Sequence, residues 1–196
     1  MEKIRSFVAI ELEDELGTQL KRIQKSLKDK GIVDHVRWVR PEGMHLTLKF
    51  LGDVPANRIQ EIVPAMANSI EGVKPFSINL SGLGCFPSIA RPNVIWVGVG
   101  GETGTLARLQ ADIEANLAVL GYPPEKREYK PHLTLGRVDR RTGAADLRRL
   151  GMLIQTENVG SHSEMLVREI CLMKSELSSA GARYTRLGAV QLEGQP

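Results

Sequence analysis

The tetrapeptide His-Leu-Thr-Leu occurs twice in this chain, within PEGMHLTLKFLG (41–52) and within YKPHLTLGRV (129–138). Each copy is rich in residues that favour strands and is preceded or followed by Pro or Gly, so each is predicted to be a β-strand. Side chains alternate along a strand, so the histidine and threonine share one face and the leucines take the other. Each copy, 45–48 and 132–135, therefore has an apolar face for a core and a polar face for a cleft.

The elements that precede the two copies also repeat. A short apolar run (6–10) and an amphipathic helix (14–28) come before the first copy, and a strand (94–99) and a helix (103–120) come before the second. Two long units do not make a solenoid, which needs several short repeats. The pattern instead predicts two similar lobes, related by a pseudo-twofold axis, whose tetrapeptides face each other across the seam.

The rest of the chain reads as further strands and helices. Segment 84–93, which holds Pro87 and Pro92, is predicted to be a loop because proline interrupts strands. The remaining predicted strands are 36–39, 76–83, 164–175 and 184–192, and the remaining predicted helices are 57–70 and 144–153.

Composition excludes several classes of protein. The 196 residues are 42% hydrophobic and 25% charged, as in a globular protein with its own core. The two cysteines cannot form a disulfide framework, and no apolar run approaches the ~20 residues of a membrane span. We therefore expect free thiols and a cytoplasmic protein. The net charge of +3 is too small for a protein that wraps duplex nucleic acid, and the basic segment 125–141 is interpreted as a solvated face.

Two histidines and two threonines around one space suit chemistry at phosphorus. Histidine has an ordinary pKa of about 6.5, so one imidazole can be neutral and the other charged near pH 7, as paired general base and general acid catalysis requires. Threonine hydroxyls can donate hydrogen bonds to phosphoryl oxygens. Neither tetrapeptide contains a carboxylate that would repel a phosphodiester. His35 and His162 have no such repeated partner and are interpreted as loop residues.

Metal and cofactor motifs are absent from the sequence. It contains no HExxH, no CxxC and no GxSxG, and Gly98-Val99-Gly100-Gly101 is neither GxGxxG nor a P-loop. We expect no metal and no cofactor.

The two HxTx motifs and their flanks resemble the two-histidine phosphoesterase superfamily, and within it the RNA 2′,3′-cyclic phosphodiesterases, also called LigT-like proteins or 2′-5′ RNA ligases. RSFVAIEL (5–12) and FPSIARPNVIWVGV (86–99) are similar to that family too. The resemblance implies a bilobal α+β fold over residues 1–196, with antiparallel sheets lining a central cleft and helices outside. It also implies hydrolysis of a terminal RNA 2′,3′-cyclic phosphate to a 2′-phosphate, with RNA ends as the partner. The protein is expected to be a monomer.

The resemblance implies roles that the residues alone leave open. His45 would be the proton donor to the leaving 3′-oxygen, His132 the proton acceptor that activates water, and Thr47 and Thr134 the phosphate-binding residues. Since the two lobes look alike, the sequence itself does not say which histidine is the acid.

Four other residues are weaker candidates. Lys49 has the strand parity of His45, which allows it to face the cleft, whereas Arg137 is out of parity and points away unless a bulge intervenes. The family places a basic residue at the position of Arg137. Phe7 and Trp38 are candidates for a surface on which a base stacks, with packing in the core the favoured interpretation of both.

Two alternative functions stay open. The same site run in reverse, with a 5′-hydroxyl in place of water, would make it a 2′-5′ RNA ligase, for example on tRNA halves. A nucleotide-binding module without turnover is the third hypothesis, and retention of both histidines and both threonines argues against it.

Overall fold

The computed structural model describes residues 2–31, 35–159, 164–178 and 181–193. These ranges contain nine β-strands and four α-helices. The strands are β1 (Lys3–Glu11), β2 (Val36–Trp38), β3 (His45–Pro55), β4 (Phe76–Ser88), β5 (Arg91–Gly101), β6 (His132–Val138), β7 (Glu164–Val167), β8 (Glu169–Ser178) and β9 (Gly181–Gln191). The helices are α1 (Asp14–Asp29), α2 (Ile59–Ser69), α3 (Thr103–Val119) and α4 (Ala144–Thr156).

The strands form two antiparallel sheets. The first sheet has the order β3-β1-β8-β9, and the second has the order β2-β6-β5-β4-β7. Each HLTL strand, β3 or β6, pairs with the strand that opens its repeat, β1 or β5. The α+β class and the pair of antiparallel sheets are as predicted.

Both HLTL strands carry a bulge at the same residue of the motif. In the first sheet Val8 pairs with Lys49 and Ala9 pairs with Thr47, so Leu48 is the extra residue. In the second sheet Ile95 pairs with Gly136 and Trp96 pairs with Thr134, so Leu135 is the extra residue. An extra residue in one strand reverses the faces of the residues that follow it, because side chains alternate with a period of two.

The helix of each repeat contacts the HLTL strand of the other repeat. Gln24 of α1 donates from Nε2 to the carbonyl of Leu135, at 2.8 Å, and Gln110 of α3 donates to the carbonyl of Leu48, at 3.3 Å. Both glutamines are buried, at 4% and 8% exposure. Thus α1, which precedes β3, reaches the bulge residue of β6 through Gln24, and α3, which precedes β6, reaches the bulge residue of β3 through Gln110.

One hydrophobic cluster spans both sheets. The leucines of both motifs belong to it and are almost fully buried, together with residues of all four helices. A second, smaller cluster of Phe7, Ala9, Cys171 and Met173 lies on the opposite face of the first sheet, against Tyr184. The first sheet is therefore covered on both faces near β1, and the second cluster forms the base of the cleft under His45.

Two sequence predictions of secondary structure are wrong. Segment 84–93 is not a loop, because β4 continues to Ser88 and pairs with β5 from Arg91. Pro87 and Pro92 face each other at the end of this hairpin, where a register shift accommodates residues without an N–H donor. Segment 164–175 is not one strand: β7 pairs with β4 in the second sheet, and β8 pairs with β1 in the first.

Both cysteines are buried free thiols, as the cysteine count suggested. Burial raises the pKa of Cys85 and of Cys171 to about 12 in each case. No helix within the described part of the chain is both long and apolar enough to cross a lipid bilayer.

Candidate active site

The two HLTL strands meet at the junction of the sheets. Strands β3 and β6 approach each other with Cα atoms within 8 Å, although they belong to different sheets. The Tyr129 hydroxyl, just before β6, donates to the backbone carbonyl of Thr47 in β3, at 3.3 Å. The structure therefore brings together the two motifs that the sequence repeat pointed to.

Both imidazoles are held by a carbonyl two residues upstream. A ring nitrogen of His45 hydrogen-bonds the backbone carbonyl of Gly43, and Nδ1 of His132 lies 2.7 Å from the carbonyl of Lys130. A carbonyl can only accept, so Nδ1 of His132 carries a proton and Nε2 is the nitrogen left for chemistry. The repeated contact gives the two histidines the same local orientation on their strands.

Aromatic rings enclose His45. The Phe7 ring stacks on the imidazole, with centroids 4.6 Å apart, and the Tyr184 ring meets it edge-on at 4.8 Å. Burial lowers the pKa of His45 to about 4, while the Gly43 carbonyl and the charge of Glu11 oppose this shift. His45 is therefore neutral at pH 7 in the free protein.

His132 lies against two other rings. Phe86 meets the imidazole edge-on with centroids 4.9 Å apart, and Trp96 lies 6.2 Å away. Gly84 makes room for this arrangement, since a Cβ at residue 84 would come within 2.2 Å of the Trp96 ring. The glycine lets the indole lie directly on β4 beside His132.

The hydroxyls of Thr47 and Thr134 have no hydrogen-bond partner in the part of the chain that the structure describes. Both threonines are partly exposed, and neither hydroxyl hydrogen-bonds another residue of the described chain. A hydroxyl that only satisfied a neighbouring backbone group would show such a bond. Both donors are thus available to a ligand in the cleft.

The bulge at Leu48 exchanges the faces of Lys49 and Phe50. Lys49 is 2% exposed and forms a buried ion pair with Glu114 of α3, and its amine also donates to the Pro123 carbonyl at 3.0 Å. The prediction that Lys49 faces the cleft is therefore wrong, because parity was counted without the extra residue. Phe50 takes the cleft face instead, is 61% exposed, and lies 6.0 Å from the Phe7 ring.

The equivalent bulge at Leu135 turns Arg137 towards the cleft. Arg137 pairs with Val94, which shares a face of β5 with Trp96, the neighbour of His132. Burial raises the pKa of Tyr184 in the first sheet, and the positive charge of Arg137 in the second sheet opposes that rise. From the sequence, Arg137 is predicted to face the cleft only if a bulge intervenes, and the structure has that bulge at Leu135.

Both weaker aromatic candidates pack against other residues of the described chain. Phe7 is 2% exposed and its ring supports His45, so core packing is the correct interpretation. Trp38 packs against the main hydrophobic cluster, with the Lys28 amine 5.3 Å from its ring centroid. The sequence pattern did not indicate Tyr184, Phe86 and Trp96, whose approach to the histidines depends on strand pairing, or Phe50, which contacts Phe7.

One group of side chains resembles a metal site. Ligand atoms of Glu11, Glu169 and Cys171 lie within 4.8 Å of one another. The guanidinium of Arg186 already bonds both carboxylates, at 2.7 Å to Glu11 from Nε and 2.6 Å to Glu169 from Nη2. The arginine supplies the positive charge that two neighbouring carboxylates need, so the group is a complete ion cluster beside His45.

The other two histidines belong to neither HLTL motif. His35 pairs through Nε2 with Asp146 at 3.5 Å, on the surface next to α4. His162 falls outside the described residues.

Known proteins resemble this chain over nearly its whole length. A family model described as "LigT like Phosphoesterase" matches it twice, over residues 10–96 and 97–184. A protein of Methanothermobacter thermautotrophicus, named RNA 2′,3′-cyclic phosphodiesterase, is 36% identical over 190 residues, which cover 97% of this chain and 100% of that relative. The twofold match of the family model agrees with the repeat seen in the sequence.

Solved structures show the same fold. A crystal structure from Thermus thermophilus matches 98% of this chain and 100% of its own, with a TM-score of 0.76 and 26% identity. The crystal structure of E. coli LigT complexed with 3′-AMP matches 98% of this chain and 100% of its own, with a TM-score of 0.73 and 24% identity. At that identity the second likeness supports the fold alone.

Proposed function

Because the chain belongs to the LigT-like phosphoesterase family, we propose that it hydrolyses the terminal 2′,3′-cyclic phosphate of RNA to a 2′-phosphate. The expected resemblance to two-histidine phosphoesterases is thereby confirmed at the level of the family. The observation that carries the proposal is the pair of His-Thr faces at the junction of β3 and β6. Curated relatives that bear the name of this activity support it.

The proposed reaction is a displacement at phosphorus. Nε2 of His132 takes a proton from a water molecule, whose oxygen forms a bond to phosphorus. The bond from phosphorus to the 3′-oxygen breaks, and His45 gives its proton to that oxygen. Hydrogen bonds from Thr47 and Thr134 stabilise the charge that develops on the non-bridging oxygens, and such interactions at developing charge are a large source of catalysis.

The acid role requires His45 to gain a proton before bond cleavage, since its pKa in the free protein is lowered to about 4. A bound phosphodiester carries a negative charge, and an opposite charge within about 4–6 Å favours the protonated imidazole. Glu11, whose Cα pairs with that of His45 across the strands, acts in the same direction. Substrate binding would thus favour protonation of His45, the general acid that the reaction needs.

The neutral state of His45 in the free protein equally suits a general base, so the two roles need a direct test. A phosphodiester of 4-nitrophenol needs no proton on its leaving group. With this substrate, His45→Ala should keep activity close to that of the unchanged protein if His45 is the acid, whereas His132→Ala should not. The reverse pattern would exchange the two roles.

The exposed aromatic side of the cleft suits a nucleobase. Phe50 is exposed next to the His45 site, and base-aromatic stacking contributes about 1–3 kcal/mol per base in single-strand binding proteins. We assign to Phe50 the stacking role for which Phe7 and Trp38 were candidates. Phe50→Ala should raise KM for a nucleoside 2′,3′-cyclic phosphate without an equal loss in kcat.

Turnover tests the function itself. An oligonucleotide with a 2′,3′-cyclic phosphate end should be converted to the 2′-phosphate in the presence of EDTA. Binding without turnover would favour the nucleotide-binding module, and a 2′-5′ linked product from an added 5′-hydroxyl end would favour the ligase. Loss of activity on chelation, restored by one divalent metal, would overturn the metal-free mechanism.

We make three further proposals about the chain as a whole. The chain acts as one bilobal domain over residues 1–196, as a monomer, and in the cytoplasm. Size-exclusion chromatography with light scattering measures whether the chain is a monomer.

A further inference from the structure

Two arginines face each other at the edge of the second sheet. Arg37 in β2 is the direct cross-strand partner of Arg137 in β6, and both are exposed. Their neighbours Val36 and Val138 are buried at 7% and 8% exposure, so the two guanidinium groups extend from the opposite face of the sheet. That face is the one that Arg137 shares with the cleft.

The arrangement is unfavourable for the protein alone. Directly opposed residues of an antiparallel pair have Cβ atoms about 4.5–5.5 Å apart, and like charges at that position are destabilising. Within the described ranges, neither arginine forms an ion pair with an acidic side chain. Two nearby acids within the described ranges are engaged elsewhere: Asp139 with Arg141, and Asp146 with His35. An anion between the two guanidinium groups would remove the repulsion.

The pair lies beyond the HLTL face rather than within it. Arg137 follows Thr134 by three residues, so their Cα atoms would be about 10 Å apart in a regular extended strand. The bulge at Leu135 makes this distance shorter. Arg37 lies one strand further out, about 4.8 Å from β6. A phosphate held by both histidines and both threonines is therefore nearer to Arg137 than to Arg37, and Arg37 needs a different anion.

We propose that Arg37, with Arg137 beside it, binds the internucleotide phosphate that precedes the terminal nucleotide of the RNA. This inference rests on the proposed function, because it takes the cyclic phosphate to lie between the HLTL motifs. A strand whose terminal phosphate lies at the histidines places its next phosphate one nucleotide away along the cleft. The protein would then prefer an RNA end to a free nucleoside 2′,3′-cyclic phosphate, which lacks that second charge.

The test compares three substrates in the unchanged protein and in Arg37→Gln. They are adenosine 2′,3′-cyclic phosphate, the dinucleotide ApA with a 2′,3′-cyclic phosphate end, and the same dinucleotide with an uncharged methylphosphonate linkage. The ratio of kcat/KM for the charged over the uncharged dinucleotide should fall about tenfold in Arg37→Gln, near the lower end for a hydrogen bond to a charged group. The salt dependence of kcat/KM should lose about 0.7 in log-log slope, as for one phosphate contact on a single strand.

Arg108→Gln, on the exposed face of α3, is the matched control and should leave that ratio unchanged. Equal losses on the charged and uncharged dinucleotides in Arg37→Gln, or no loss on either, would overturn the subsite. Affinity for the product-like dinucleotide 2′-phosphate, measured by calorimetry against adenosine 2′-phosphate, gives a second readout that needs no turnover. If no substrate is turned over but Arg37→Gln still weakens binding of the dinucleotide selectively, the subsite stands and the proposed function fails.

Discussion

Replacing Gln24 with methionine tests how the second HLTL strand is held. The Gln24 amide donates to the carbonyls of Leu135 and Val39, both at 2.8 Å, and the residue is 4% exposed. Methionine keeps the unbranched shape but removes both bonds. The Leu135 carbonyl would still accept from the backbone N–H of Val39, at 2.9 Å, whereas the Val39 carbonyl has no other described donor.

The part-buried Val39 carbonyl would be left without a donor, and a buried carbonyl in that state costs about 1–3 kcal/mol. At this chain length each kcal/mol lowers Tm by roughly 2–4 °C, so Gln24→Met should lower Tm by about 2–12 °C. Because the bulge at Leu135 turns Arg137 towards the cleft, loosening it should also displace Arg137 and the neighbouring residues to which we assign catalysis. A displacement of about 1 Å can cost on the order of 10²-fold in rate, so we expect kcat/KM to fall by about 10- to 100-fold at temperatures well below Tm.

The assay pairs thermal unfolding with kinetics on a dinucleotide that ends in a 2′,3′-cyclic phosphate. Gln19→Met is the matched control, since Gln19 lies on the same helix and its amide donates to the Val159 carbonyl at 3.4 Å, away from either motif. A Tm loss in Gln24→Met with kcat/KM unchanged, as in the control, would refute the positioning role. An unchanged Tm would refute the reasoning about the Val39 carbonyl.

Three further predictions concern the charged and polar groups of the site. Lys49→Met should lower the free energy of unfolding by about 3–5 kcal/mol in urea denaturation, because it leaves the Glu114 carboxylate buried without its ion-pair partner. The double variant Lys49→Met with Glu114→Gln should recover most of that loss. Activity of the folded fraction should persist in both variants, and a specific kinetic defect would contradict the placement of Lys49 outside the cleft. Thr47→Val and Thr134→Val should each lower kcat/KM by roughly 10- to 150-fold, the equivalent of about 1.5–3 kcal/mol, with little change in Tm. A loss of stability without a loss of kcat/KM would exclude phosphate binding by these threonines. His45 has a pKa of about 4 in the folded protein and an ordinary pKa of 6.5, which we take for the unfolded chain. Between these pH values the unfolded chain binds more protons than the folded protein, so the free energy of unfolding should decline by up to about 3 kcal/mol as pH falls from 6.5 to 4. His45→Gln should flatten this part of the stability profile, and an equally steep profile in that variant would assign the decline to other groups.

The sequence by itself determined most of the elements and the two polar strand faces that carry His45, Thr47, His132 and Thr134. The repeated HLTL needed only the period of two to separate His45 and Thr47 from the leucines, and the stripe of α3 needed only the helical period. These are local properties, set by the backbone geometry of a single element. The repeat also predicted that the two motifs meet, which the approach of β3 to β6 bears out.

Only the tertiary structure decided which neighbours join those faces. The bulges at Leu48 and Leu135 reverse the parity that is counted along the sequence, so Lys49 is buried while Phe50 and Arg137 reach the cleft. A bulge depends on how two strands pair, and nothing within HLTLKF or HLTLGR specifies it. The approach of Tyr184 to His45 likewise depends on strands far apart in the chain, because strand pairing is set by burial of both sheets in one shared core.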